Sequence, residues 1–259
     1  MMGDRRIKLS IKDGIARLVM TGTARRNAVD LQWCREFAEA AIACAADESI
    51  KVAVLSAEGD FFSVGGDIDN FIANRAHLRP HVLEMASLFH LGIMRLHQGP
   101  APVISAVNGM AAGGGFSIAI LADIVLAKRS ARFVAAYTSS GLSPDGGLTY
   151  NLPRLVGIRR AFELMALNTP LSAEQALDLG IITRVFDDAS FEADVEAIVQ
   201  QVAAMPAGAL PALKKLMATS MDSSLQQQLD REAESVARLA ASPATLEVLD
   251  AFLRRRIKR

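Results

Sequence analysis

Two glycine-rich stretches are places where the main chain itself could do chemistry. One reads Phe61-Phe62-Ser63-Val64-Gly65-Gly66-Asp67-Ile68, the other Asn108-Gly109-Met110-Ala111-Ala112-Gly113-Gly114-Gly115. Each follows a short apolar run, Val52–Leu55 and Val103–Val107, and each precedes a helical pattern. Both are therefore expected to be strand-to-helix turns. Glycine there tolerates positive φ and lets backbone approach a ligand closely. The first N–H groups of a following helix have no internal partner and lie at the positive end of its dipole. Two such turns side by side would aim two donors at one oxygen, an oxyanion hole. Neither stretch gives the glycine-lysine phosphate loop or the dinucleotide glycine fingerprint. Each, taken alone, also reads as a tight packing turn.

A third turn carries an acid: Gly141-Leu142-Ser143-Pro144-Asp145-Gly146-Gly147. By itself Pro-Asp-Gly-Gly is a turn signature. Four histidines, His77, His81, His90 and His97, share one segment. His77 and His81 have i,i+4 spacing, but no acidic partner completes a zinc pattern, so no metal is expected. Cys34 and Cys44 form neither metal spacing nor a disulfide framework, which suits a reducing, cytoplasmic setting.

The elements that must hold these residues follow from periodicity. Ile7, Leu9 and Ile11 alternate, Asp13-Gly14 turns, and Ile15–Met20 returns as a hairpin. Asp30 caps a helix to about Ala46. A helical stretch runs from about His81 to His97. The Gly113-Gly114-Gly115 run opens an apolar helix to Ala122. Asp123–Ala127, Arg132–Val134 and Ile181–Phe186 read as strands, and Ser172-Ala173-Glu174-Gln175 is a capping box. Past about residue 190 only helical patterns remain. The α/β reading is thus a core over 1–190, built of repeated strand–strand–helix units, and a helical C-terminal region over 191–259. Lys+Arg and Asp+Glu both total 28 in 259 residues, so no basic field points to nucleic acid. No apolar run is long enough for a membrane span. The basic tail, Arg254, Arg255, Arg256, Lys258 and Arg259, reads as a solvated end, with an anionic ligand or a neighbouring subunit as the alternative.

FFSVGGDIDNF, PVISAVNGMAAGGGFSIAILADIVLA, SSGLSPDGGLTYNLPRLVGIRRAFELM and TPLSAEQALDLGIITRVF, in this order, resemble the crotonase (enoyl-CoA hydratase/isomerase) superfamily. The likeness runs from about Ile7 to Phe186 and continues more loosely through the tail. It implies a spiral of ββα units with a C-terminal helical trimerisation region, and a homotrimer or dimer of trimers. It implies an acyl-CoA thioester as substrate, with coenzyme A present only as part of that substrate and no separate cofactor. The N–H groups of Gly66 and Gly114 would hold the thioester oxygen. The turn around Arg26 and Ala28 would meet the nucleotide, and Val64, Asp67 and Ile68 would lie along the substrate.

Hydratases of this superfamily use two glutamates. One sits three residues after the second oxyanion glycine and one in the segment after the Arg132–Val134 strand. These positions here are Ser117 and Tyr137, neither a carboxylate. The remaining acid is Asp145, and GLSPDGG is similar to isomerases that place their sole catalytic aspartate there, most of all the epoxyphenylacetyl-CoA isomerase branch. The expected activity is therefore an acyl-CoA isomerase, of Δ3,Δ2-enoyl or epoxyphenylacetyl type, serving fatty-acid or phenylacetate breakdown. A single carboxylate suits a 1,3-proton shuttle, because no activated water is needed. Phe116 and Tyr137 would line the acyl pocket, with Ser117 assisting by a hydrogen bond. A dehalogenase branch uses the same aspartate position as nucleophile and a histidine in the region of His90. The alternatives are a hydratase with non-standard water activation and a non-catalytic acyl-CoA-binding member.

Overall fold

A computed structural model describes residues 5–257. The expected hairpin forms: β1 (Ile7–Lys12) pairs antiparallel with β2 (Ile15–Met20). Helix α1 (Leu31–Ala46) follows, and the carboxylate of Asp30 caps it by accepting from the Trp33 N–H at 2.7 Å. Its apolar face buries Trp33, Cys34, Phe37 and Ala41. The next unit is β3 (Val52–Ala57), β4 (Phe61–Ser63), the short α2 (Ile68–Ala73) and α3 (Leu78–Gln98). A third unit runs β5 (Val103–Val107), β6 (Met110–Ala112) and α4 (Gly114–Ala119). A fourth runs β7 (Ile124–Lys128), β8 (Arg132–Val134), α5 (Leu148–Val156) and α6 (Ile158–Leu167). Then come β9 (Leu171–Ser172), α7 (Ala173–Asp178) and β10 (Arg184–Phe186). Four helices end the described chain: α8 (Phe191–Ala203), α9 (Ala209–Ser220), α10 (Leu225–Ala240) and α11 (Pro243–Ile257).

After the hairpin, the two strands of each pair go to different sheets. The hairpin, β3, β5, β7 and β10 build a six-stranded sheet ordered β1-β2-β3-β5-β7-β10, parallel from β2 onward. β4, β6, β8 and β9 build a four-stranded sheet ordered β4-β6-β8-β9. Every residue of β5 is buried, as a parallel strand covered on both faces requires.

The structure corrects four expectations. The glycine stretches are not simple strand-to-helix turns, because β4 and β6 lie inside them and pair in parallel, Phe61 with Met110 and Ser63 with Ala111. Strands of three residues are too short to show a period of two. The helix opened by the glycine run ends at Ala119, not Ala122. Two helices, α5 and α6, follow the Pro-Asp-Gly-Gly turn, in a segment read only as motif. Finally, α8, placed by the sequence in the helical region over 191–259, belongs to the core. Phe191, Val195 and Val199 pack on Val52, Ile104 and Leu126, so α8 covers a face of the main sheet. The change of character near residue 190 marks the last strand rather than the edge of the core. Of the basic tail, Lys258 and Arg259 lie outside the described residues. No described helix is long and apolar enough to cross a membrane.

Candidate active site

The two glycine loops meet because β4 and β6 are neighbours. A methyl group at Gly65 would stand 2.7 Å from the Ala112 carbonyl oxygen and 3.0 Å from the Gly114 nitrogen, and the Gly65 φ is +83°. Only glycine satisfies both constraints. Gly66 forms a parallel bridge with Val29: Val29 N–H donates to Gly65 O at 2.8 Å, and Asp67 N–H donates to Val29 O at 3.0 Å. Its two neighbours thus use their polar groups on the Val29 side, and the Gly66 N–H points away from it. Gly114 opens α4, where an N–H has no partner within the helix. Among the described residues neither N–H donates to any acceptor, and both glycines line one cavity of about 360 Å³. α4 spans six residues, so the two aimed N–H groups, rather than a long helix dipole, supply the positive potential.

Asp145 lines the same cavity and is its sole carboxylate among the described residues. Gly146 places it. At φ +61° a methyl there would lie 2.6 Å from Phe89 Cε1 and 2.8 Å from Ser117 Cβ, so the turn packs directly on α3 and α4. Tyr137 donates to Asp145 Oδ1 at 2.6 Å. Burial, and then the charge of Asp145, pushes the phenol well above its ordinary pKa, so it stays protonated. Ser117 Oγ is 2.9 Å from the Asp145 carbonyl oxygen and 3.0 Å from Tyr137 Oη. His90 Nε2 lies 3.7 Å from Asp145 Oδ2 but accepts the Gly146 N–H at 3.2 Å. That N–H contact occupies the Nε2 lone pair.

Of the expected site residues, Gly66, Gly114, Asp145, Val64, Ile68 and Tyr137 come together around this cavity. Asp67 does not line it. Its buried carboxylate caps α2 through the Asn70 N–H at 3.0 Å and binds Arg25 at 2.7 Å. Arg26 and Ala28 sit in the preceding turn, with the Arg26 guanidinium over the Phe61 ring. Phe116 is corrected: it is 1% exposed and packs on Phe133, because position 116 of α4 faces the core. Ser117 is fully buried and touches the site only through Tyr137 and Asp145. The histidine pair is also separated in role, since His81 Nε2 lies 2.6 Å from Asn70 Oδ1.

The walls that sequence reading missed are Val82, Met85 and Phe89 on α3, Phe71 on α2, and Cys34 on α1. The α3 residues do repeat at helical spacing, a signal that marks an apolar face without saying what it faces. A larger cavity of about 910 Å³ lies between α3, α5 and α9. Its wall contains Gly147 and Asn151 but neither donor glycine nor Asp145, so it is not the site.

Paired free N–H groups above an apolar cavity with one carboxylate can hold a carbonyl oxygen while a proton moves at the adjacent carbon. Comparison with known proteins points the same way. The Enoyl-CoA hydratase/isomerase family model matches residues 10–258. The chain is 32% identical to 1,2-epoxyphenylacetyl-CoA isomerase of Escherichia coli (strain K12), over 95% of this chain and 94% of that protein. It is 30% identical to 4-chlorobenzoyl coenzyme A dehalogenase-2 of Arthrobacter sp, over 96% and 91%. Its fold superposes on a putative enoyl-CoA hydratase/isomerase from Mycobacterium abscessus with a TM-score of 0.91 at 29% identity, covering 96% of each chain. The chain belongs to the enoyl-CoA hydratase/isomerase family.

Proposed function

We propose that this enzyme is an acyl-CoA isomerase that works through a thioester enolate. The observation that carries the reading is the single carboxylate, Asp145, in one cavity with the two unpaired N–H groups of Gly66 and Gly114. Deprotonation at the α-carbon, or its vinylogous position, puts charge on the thioester oxygen. Donors aimed at that oxygen stabilise it, each worth roughly 3 kcal/mol by analogy with oxyanion-hole deletions. Asp145 Oδ2 removes the proton and returns it two carbons away, so atoms balance without water. Ser117 and Tyr137 cannot serve as the two carboxylates of water addition, and Tyr137 in particular holds its proton. The aromatic and aliphatic walls, Phe71, Phe89, Val82 and Met85, suit a compact or aryl acyl group of the kind named for the Escherichia coli relative.

A second reading is favoured by His90 beside Asp145 and by the dehalogenase relatives. There Asp145 would displace halide from an aryl thioester, and water would cleave the resulting ester. The Nε2 lone pair of His90 is already engaged by the Gly146 N–H, which weighs against its activating that water. The assembly that fits is a homotrimer or dimer of trimers. Exposed Ile158, Phe162, Leu225 and Phe252 support it, as large apolar side chains that a neighbour would cover.

The test uses three thioesters. The enzyme is expected to convert a 3-enoyl-CoA to the conjugated 2-enoyl product, seen as rising enone absorbance. Crotonyl-CoA should persist, and a 4-chlorobenzoyl thioester should release no chloride. Rapid loss of crotonyl-CoA absorbance, or chloride release, overturns the isomerase reading.

A further inference from the structure

Where hydratases of the family carry glutamates, this chain has two side chains bonded to each other and to the one acid in the cavity. We propose that Ser117 and Tyr137 are a positioning pair that clamps Asp145 at both its main chain and its carboxylate. Oδ1 is thereby committed to the protein, and Oδ2 is left as the proton-transfer oxygen. The proposal rests on the reading of Asp145 as the proton-moving group.

The bonds assign themselves. Tyr137 has one hydroxyl proton, and the 2.6 Å contact to Asp145 Oδ1 takes it. Ser117 also has one, and its nearest acceptors are the Asp145 carbonyl oxygen at 2.9 Å and Tyr137 Oη at 3.0 Å. Either choice ties the Asp145 turn to α4. That helix begins at Gly114, and Ser117 lies three residues on. One helical turn thus sets the spacing between the oxyanion donor and the base. A methyl group at Gly114 would lie 3.8 Å from Tyr137 Oη, so the phenol sits against the donor as well.

The groups facing Asp145 are Tyr137, His90 from α3 and Cys34 from α1. His90 accepts at Nε2 and offers no proton there, and the Cys34 thiol stays protonated without bonding the carboxylate. Among the described residues Tyr137 is therefore the only donor to the carboxylate.

Tyr137→Phe keeps the ring and removes the donor. In its crystal structure the Asp145 carboxylate is expected to take more than one orientation, and kcat should fall at least about tenfold with KM nearly constant. Ser117→Ala should change both in the same direction by less, and it carries the test if Tyr137→Phe does not fold. A carboxylate still held in the wild-type orientation, or a change in KM and melting temperature alone, overturns the clamp. If the wild-type enzyme converts no acyl thioester, the isomerase reading fails, while the carboxylate orientation in the variant still decides the clamp.

Discussion

Cys34 shares a cavity wall with Asp145 yet is kept from reacting. Burial, then the charges of Asp30 and Asp145, pushes its thiol up to about 12, and burial pushes Cys44 up to about 11. A thiol reagent at pH 8 is expected to modify neither residue in the folded protein and both after unfolding, read by absorbance. The sign for stability follows from linkage. The unfolded thiols ionise near about 8.5, and the folded ones resist ionisation. Stability is therefore full below that pH and falls as pH rises toward 11 and 12, which urea midpoints at pH 8 and 10 will show. At this scale the sequence was informative where a residue type had one use. Gly66, Gly114 and Asp145 were named through the family resemblance that their glycine runs and turn motif carry. Phe116 was misassigned because an apolar residue on a short helix gives no direction. Cys34 was missed because nothing in its type or spacing separates a pocket wall from a core.

The elements place these residues by two devices. One is the β4–β6 pairing, which depends on Gly65. Gly65→Ala puts a methyl 2.7 Å from Ala112 O and forces the loops apart. We expect kcat to fall about 10²-fold, the cost of one misplaced oxyanion donor, with a lower melting temperature. The other device is the cap on α2. Asp67 accepts from the Asn70 N–H and binds Arg25. Burial alone would raise its pKa, but the Asn70 N–H and the Arg25 guanidinium outweigh it and hold it low. Asp67→Ala is expected to cost about 1 kcal/mol in urea unfolding. It should also weaken thioester binding, because α2 carries Ile68 and Phe71 of the cavity wall. The low folded pKa means this stabilisation is present above the ordinary carboxylate range and is lost as pH falls through it. Long elements, α1 and β5 among them, were legible because caps and apolar runs persisted over five residues or more. β4, β6 and β9 were not, since they exist through tertiary pairing alone.

At the scale of the molecule, β1, β2, β3, β5, β7 and β10 form one sheet and β4, β6, β8 and β9 another. α9 is then fastened to this body by Lys214. Its ammonium donates to Leu96 O at 2.8 Å and Ala101 O at 2.9 Å, and it meets Asp123 at 3.1 Å. Burial lowers its pKa, and Asp123 opposes that. Lys214→Met leaves two carbonyls and a carboxylate without their partner, and about 3 kcal/mol of stability is expected to go, read by denaturant midpoint. The remaining folded enzyme should keep its kcat, because no catalytic group lies on α9. The sequence showed the helical character of this region but not its attachment. A lysine in an amphipathic helix gives no sign that its head will find carbonyls more than a hundred residues away.

The most direct test of the account is the turnover of Asp145→Asn with a 3-enoyl thioester, alongside its affinity for a non-reactive CoA thioester. Affinity should stay within about twofold while kcat falls by about 10² to 10⁴, the contribution of a positioned proton-transfer group. An Asp145→Asn enzyme turning over at the wild-type rate would contradict the account.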